Sequence, residues 1–394
     1  MAANLNQTPS AERPHIAFFG KRNAGKSSIV NAITGQDISI VADFKGTTTD
    51  PVTKAMELLP LGPVVIIDTP GIDDEGLVGE MRVKKARQVL NKTDIAVLVI
   101  DSTVGKTKED KELIDLFIKK EIPYLIVYNK SDICDSKIKE SNSIFVSAVS
   151  KTNIDELKEQ IAKLIKSEND NKKIISDLIS ENDTVVLVTP IDSSAPKGRM
   201  ILPQVQTIRD LIDKHAICIV IQPEQLENVL KLNPKLIITD SQIFNKIKNV
   251  VPNEIPLTSF SILFARYKGL LKSAVNGVKK LKNLNNNDTI LICEGCTHHR
   301  QCEDIGTVKL PQWISEYTEK TLNFEFTSGG QFPDNLEKYS LIVHCGGCML
   351  NEREIRYRVK TANDANIPIT NYGTLIAEIN GILDRSIDFF KNNL

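Results

Sequence analysis

The chain has 394 residues, of which 41% are hydrophobic and 25% charged, and its formal net charge at pH 7 is −1. No apolar run approaches the roughly 18 residues of a membrane span, and a near-neutral chain lacks the general basic field that draws in nucleic acid. The length predicts two or three domains, and the polar start MAANLNQTPSAERPH, without an apolar signal core, predicts a cytoplasmic protein.

From residue 15 to about 166, apolar strands alternate with helical stretches. HIAFFG, VVIID, IAVLVID, YLIVYN and SIFVSA read as buried strands of a mostly parallel sheet. SSIVNAITG, KEDKELIDLFIKK and NIDELKEQIAKLIK read as the helices between or after them. This is the rhythm of a doubly wound α/β domain, ending near the polar segment 166–173. A second α/β unit follows, with strands TVVLVTPID, AICIVIQ, KLIITD and IPLTSF and the helix LPQVQTIRDLIDKH. An apolar helix, ILFARYKGLLKSAVNGVKKL, then leads to the turn signal NLNNND. TILICEGC, LNFEF, SLIVHCGGC and IPITNYG repeat the strand pattern in a third unit. The expected fold is α/β throughout, with domains at 1–168, 174–270 and 271–394.

The first domain carries a nucleotide signature. Gly20 to Ser27, GKRNAGKS, matches G-x-x-x-x-G-K-S/T between a strand and a helix. Its backbone amides, with those of Asn23, Ala24, Gly25 and Ser28 in or beside the loop, can cradle phosphates at a helix N-terminus. Lys26 supplies a charge to the β- and γ-phosphates, and the Ser27 hydroxyl can ligate Mg²⁺. Asp68-Thr-Pro-Gly71 ends a strand where an acid can hold Mg²⁺ through water and a glycine amide can meet the γ-phosphate. Asn129-Lys130-Ser131-Asp132 ends another, and a carboxylate at Asp132 pairs with the N1 and N2 donors of guanine rather than with adenine. Ser147 and Ala148 end the next strand, where an amide can meet guanine O6. Together these motifs predict GTP and GDP binding with Mg²⁺.

These residues resemble the translation-factor-like GTPases, particularly the subgroup that includes MnmE and Era. The resemblance implies that Gly46 to Asp50, GTTTD, is the first switch loop, with Thr48 as a Mg²⁺ ligand. Ile72 stands where Ras-like enzymes carry a water-orienting glutamine, so intrinsic hydrolysis is expected to be slow without another group. Asn23 resembles the asparagine that holds K⁺ in potassium-activated relatives. K⁺ is therefore an expected activator, and Lys26, Asn23, Thr48 and Asp68 are the expected catalytic set.

Five of the seven cysteines, Cys293, Cys296, Cys302, Cys345 and Cys348, crowd the C-terminal region near His298, His299 and His344. In a reducing compartment such grouping points to metal rather than disulfides. The clusters follow apolar strands, at the carboxyl ends where open α/β sheets place ligands. Cys293-x-x-Cys296 with Cys345-x-x-Cys348 suits a Cys₄ zinc site. Three thiolates with one non-cysteine or exchangeable ligand suit an iron–sulfur cluster instead. Spacing supports both. Cys218, in AICIVI, reads as a small buried hydrophobe, and Cys134 has no assigned role.

Cys296-Thr-His298, followed far downstream by His344-Cys345-Gly-Gly-Cys348, resembles the signature of the [FeFe]-hydrogenase maturation GTPases of the HydF family. The likeness extends through SAPKGRMILPQVQTIRD and FSILFARYKG. It implies a [4Fe-4S] cluster on Cys296, Cys345 and Cys348, a dimerisation domain at 174–270 and a cluster domain at 271–394. His298, His344, Cys302, Glu303 and Asp304 are the candidates for the fourth ligand. It further implies a homodimer that scaffolds or carries a di-iron precursor bearing CO and CN⁻. That precursor would come from two radical-SAM maturases and pass to apo-[FeFe]-hydrogenase. The alternative is a zinc-binding GTPase of RNA modification or ribosome assembly, against which the near-neutral charge counts. Lys197 and Arg199 stand in a polar loop that by default is simply solvated.

Overall fold

A computed structural model of the chain describes residues 8–35, 51–70, 85–86, 88–134, 140–165, 172–191, 200–295 and 304–393. The contacts divide the chain into two units, residues 1–171 and 172–394.

In the first unit, strands β1 (His15–Phe19), β2 (Val52–Leu58), β3 (Gly62–Asp68), β4 (Ile95–Asp101), β5 (Tyr124–Asn129) and β6 (Ser143–Phe145) form one sheet in the order β2-β3-β1-β4-β5-β6. Only β2 runs antiparallel to its neighbour. Helices α1 (Lys26–Thr34), α2 (Lys108–Lys119) and α3 (Ile154–Ile165) accompany the sheet. Alternate residues of β1 feed two cores. Ile16 and Phe18 join Ile29, Leu157 and Ile161, while Ala17 and Phe19 join Leu113 and Phe117. Burial on both faces explains why these strands read as unbroken apolar runs. The sequence missed β2. Most of its TKAME side chains are exposed on an edge strand, so no apolar run marks it.

The second unit holds two parallel four-stranded sheets. β7 (Thr184–Val188), β8 (Ile217–Ile221), β9 (Leu236–Thr239) and β10 (Leu257–Ser259) are ordered β10-β9-β7-β8. β11 (Thr289–Glu294), β12 (Asn323–Ser328), β13 (Leu341–His344) and β14 (Ile369–Asn371) are ordered β12-β11-β13-β14. Buried residues of both sheets belong to one continuous core. Helix α4 (Leu202–Asp213) begins after the Ile201 backbone amide donates to the Gln204 side chain at 3.1 Å.

Two sequence expectations change here. The long apolar helix is two helices, α5 (Phe260–Tyr267) and α6 (Leu271–Val278). Gly269 between them is left-handed at φ 77°, and the amides of Gly269 and Leu270 close the end of α5 on Arg266 and Ala265 carbonyls. Cys218 is half-buried rather than buried, because β8 is an edge strand, with Ile217 48% and Val220 42% exposed. Burial still pushes its thiol up to about 11.

Three longer helices complete the C-terminal part, α7 (Leu310–Thr318), α8 (Glu352–Asp364) and α9 (Tyr372–Ile379), beside shorter helical turns. No helix among the described residues is long and apolar enough to cross a membrane.

Candidate functional site

The carboxyl ends of β1, β3, β5 and β6 bring the four nucleotide motifs together. A cleft of about 480 Å³ is lined by Asn23, Gly25, Lys26, Ser27, Ser28, Asn129, Lys130, Asp132, Ser147 and Ala148. Ile133 and Val149, 67% and 87% exposed, line it as well. Sequence reasoning passed over these two. Each sits beside a recognised motif, and an apolar side chain next to Asp132 or Ala148 is what a flat purine ring packs against.

Asn129 ties the cleft together. Its side-chain amide donates to the Ala24 carbonyl at 3.0 Å, and its carbonyl oxygen accepts from the Ala148 amide at 3.1 Å. The phosphate loop and the two base-recognition loops therefore share one buried residue. Gly25 makes this approach possible: it is left-handed at φ 88°, and a Cβ there would stand 2.2 Å from the Asn129 amide nitrogen. Asn23 is also left-handed, at φ 62°, a conformation asparagine tolerates better than most residues. Lys130 is left-handed too, and its ammonium pairs with Asp101, the β4 residue in register with Asn129.

Lys26 is 8% exposed, and its ammonium donates to the Gly20 and Lys21 carbonyls at 3.0 and 2.7 Å. The Ser27 hydroxyl donates to Asp68 Oδ2 at 2.8 Å, while Asp68 Oδ1 is buried without a hydrogen-bond partner. Burial raises the Asp68 carboxyl above its ordinary range, against the Ser27 hydrogen bond and the Lys26 charge. A hydroxyl and an under-satisfied carboxylate side by side fit a divalent cation such as Mg²⁺, which would neutralise phosphate charge there. Thr48, Gly71 and Ile72 lie outside the described residues.

The cysteine site is built on the second unit's C-terminal sheet. Cys293 pairs in register with His344, so β11 and β13 deliver both cluster segments to the same edge. Cys345 Sγ accepts from the Gly295 amide at 3.0 Å and from the Gly347 amide at 3.4 Å. Burial raises the Cys345 thiol, opposed by these two amides and by Arg358. Two amides on one sulfur fit a metal-bound thiolate, the species whose charge they stabilise. Cys348 is half-buried on the same loop. Cys293 is fully buried, and burial pushes its thiol up to about 12.

His344 is 1% exposed and uses both ring nitrogens within the protein. Nδ1 lies 2.8 Å from the Cys345 carbonyl and Nε2 lies 3.0 Å from Arg358 Nη1. That pairing makes Nδ1 the donor and Nε2 the acceptor. Burial, then the Arg358 charge, hold its pKa down to about 3, so the ring is neutral. Arg358 is itself fully buried, bonded to Glu354 and to the Gly329 carbonyl. Nothing in EREIRYRVK distinguished it from the other basic residues of α8. Asp304 caps the following turn, its carboxylate accepting from the Thr307 amide and hydroxyl at 2.8 Å. Cys296, His298, His299, Cys302 and Glu303 lie outside the described residues, as do Lys197 and Arg199.

Residues 15–130 match the model of the 50S ribosome-binding GTPase family. The first unit is therefore a P-loop GTPase domain, a site for GTP or GDP with Mg²⁺. Residues 174–269 match the hydrogen maturase F dimerization domain and residues 272–389 its tetramerization domain. The chain belongs to the hydrogen maturase F family.

GTPase Der of Kosmotoga olearia is 38% identical over 144 residues, covering 35% of this chain and 32% of its own. The tRNA modification GTPase MnmE of Desulforamulus reducens is 36% identical over 158 residues, covering 38% of this chain and 34% of its own. The chain thus spans about a third of the length of these curated relatives. Among solved structures, an Aquifex aeolicus Era variant bound to GDP and AlF₄⁻ is 20% identical, with a TM-score of 0.35 over 53% of this chain and 92% of that one.

Proposed function

We propose that the chain is a GTP-hydrolysing scaffold and carrier that holds a [4Fe-4S] cluster and assembles or delivers the di-iron precursor to apo-[FeFe]-hydrogenase. The observation that carries this is the pairing, in one hydrogen maturase F chain, of a guanine-nucleotide cleft with a thiol cradled by two backbone amides. Cys296, Cys345 and Cys348 are the proposed cluster ligands. The two-nitrogen engagement of His344 favours a fourth ligand from the other candidates, His298, Cys302, Glu303 or Asp304. The cluster's part is to offer an iron position to the precursor.

The precursor is cargo, received from two radical-SAM maturases. The GTPase domain serves as the switch: Ser27, Thr48 and Asp68 would hold Mg²⁺ beside the γ-phosphate, and hydrolysis would end that contact. K⁺ beside Asn23 supplies the charge that an arginine finger gives other GTPases. The apolar edge at β8, with Ile217 and Val220 exposed, supports a homodimer formed through the 174–270 domain.

Anaerobically reconstituted protein tests this reading with two readouts. Dithionite-reduced samples should give an S = 1/2 electron paramagnetic resonance signal with about four irons per chain. GTP hydrolysis should be faster in K⁺ than in Na⁺. One zinc per chain and no signal would sink the scaffold reading, and equal rates in the two salts would remove the K⁺ site.

A further inference from the structure

Next to Cys345 in the sheet lies a buried polar pair that neither the nucleotide site nor the ligand set uses. Strand register defines it. Cys293 pairs with His344, and His344 with Asn371, across three adjacent parallel strands. The next residues at these three strand ends are Glu294, Cys345 and Tyr372. Glu294 and Tyr372 are 3% and 7% exposed.

The Tyr372 hydroxyl is buried without a hydrogen-bond partner. Such a group loses its hydration without recompense, so an orphan in a native core calls for a missing partner. Gly306, on the π-helical turn Ile305–Lys309, shows where the oxygens point. A Cβ at Gly306 would stand 2.3 Å from Glu294 Oε1 and 2.5 Å from Tyr372 Oη. The carboxylate and the hydroxyl thus converge on one small volume, which glycine keeps open. Single π-turns of this kind are frequent beside functional sites. A phenol keeps its proton at neutral pH, so the hydroxyl is available as a donor. Cys345 follows the middle of the three strands, one strand from Glu294 and one from Tyr372.

We infer that Tyr372 is a positioning residue of the metal site, its hydroxyl donating a hydrogen bond to an anionic sulfur of the iron–sulfur group that Cys345 helps to hold. The inference rests on the [4Fe-4S] reading proposed above. A donor to a cluster sulfur draws off electron density and favours the reduced state, so it raises the reduction potential. Tyr372 then tunes the cluster from outside its ligand set.

The test is an electron paramagnetic resonance-monitored redox titration of full-length wild-type and Tyr372→Phe proteins, reconstituted side by side. Phenylalanine preserves the ring packing. The variant should keep the wild-type iron and sulfide content and show a more negative midpoint potential. Gly306→Ala keeps the hydroxyl but fills the space it shares with Glu294, and it should shift the potential in the same direction. If Tyr372→Phe retains iron at an unchanged potential, the inference is overturned. Should that variant fail to fold or to take up iron, Gly306→Ala decides alone, and an unchanged potential there overturns it. Wild-type protein that takes up no iron–sulfur cluster would sink the metal-site reading and this inference with it. That outcome is distinct, because it appears before any variant is compared.

Discussion

Replacing Lys26 with alanine should lower the rate of GTP hydrolysis by at least about 10²-fold, the usual effect of removing one positioned donor or charge from developing negative charge. The Lys26 ammonium is buried among the Gly20 and Lys21 carbonyls, 3.0 and 2.7 Å away, at the mouth of the phosphate loop. Nothing else among the described loop residues places a full positive charge at that depth. Lys21 pairs with Glu109 at 2.9 Å and Lys130 with Asp101, so neither replaces it without giving up an acid. The cysteine loops belong to the other unit, residues 172–394, which has its own continuous core. The iron content of Lys26→Ala protein should therefore equal that of wild type while maturation of hydrogenase falls. A variant that matured hydrogenase at the normal rate would show that the nucleotide switch is not needed.

Replacing Cys345 with serine should act in the opposite sense, abolishing stable cluster binding and leaving GTP hydrolysis intact. Two amides donate to this sulfur, and a serine hydroxyl neither ionises readily there nor binds iron as a thiolate does. The iron-to-protein ratio and the reduced-state resonance signal are the measurements. Wild-type iron content in Cys345→Ser protein would mean that another residue holds the metal and that the paired amides serve only the turn. Cys293→Ser is the informative comparison. Cys293 is fully buried in β11 with its thiol pushed up to about 12, as expected of a core thiol, so its loss should spare the iron.

Much of this architecture was legible because buried parallel strands announce themselves. Every strand ending at the nucleotide cleft coincides with a largely apolar stretch of the sequence, as do β11 and β13 of the C-terminal sheet. At two edge strands the signal misled. The exposed TKAME of β2 hid a strand, and the apolar ICIVI of β8 overstated burial at Cys218. The single apolar helix broke at Gly269, whose left-handed backbone overrides a continuous apolar pattern.

The nucleotide residues were legible as motifs because each contributes through local backbone geometry. Asn129 was recognised for base selection, yet its link from Ala24 to Ala148 emerges only when residues 105 positions apart meet. The surroundings of the cysteines were the least legible. Arg358 and Tyr372 sit far from the clusters in sequence and reach them through helix packing and strand register, neither of which leaves a local pattern. Glu294 was the one visible hint, a charged residue closing the otherwise apolar strand TILICE.

The central claim, that one chain carries a di-iron precursor to hydrogenase, is tested most directly by transfer. Full-length protein loaded with the precursor and freed of unbound material would be mixed with apo-[FeFe]-hydrogenase, and hydrogen evolution followed. The account predicts activity that rises with the amount of loaded protein, while protein carrying its own cluster but no precursor gives none. Loaded protein that fails to activate the hydrogenase, or free precursor that activates it equally well alone, would contradict it.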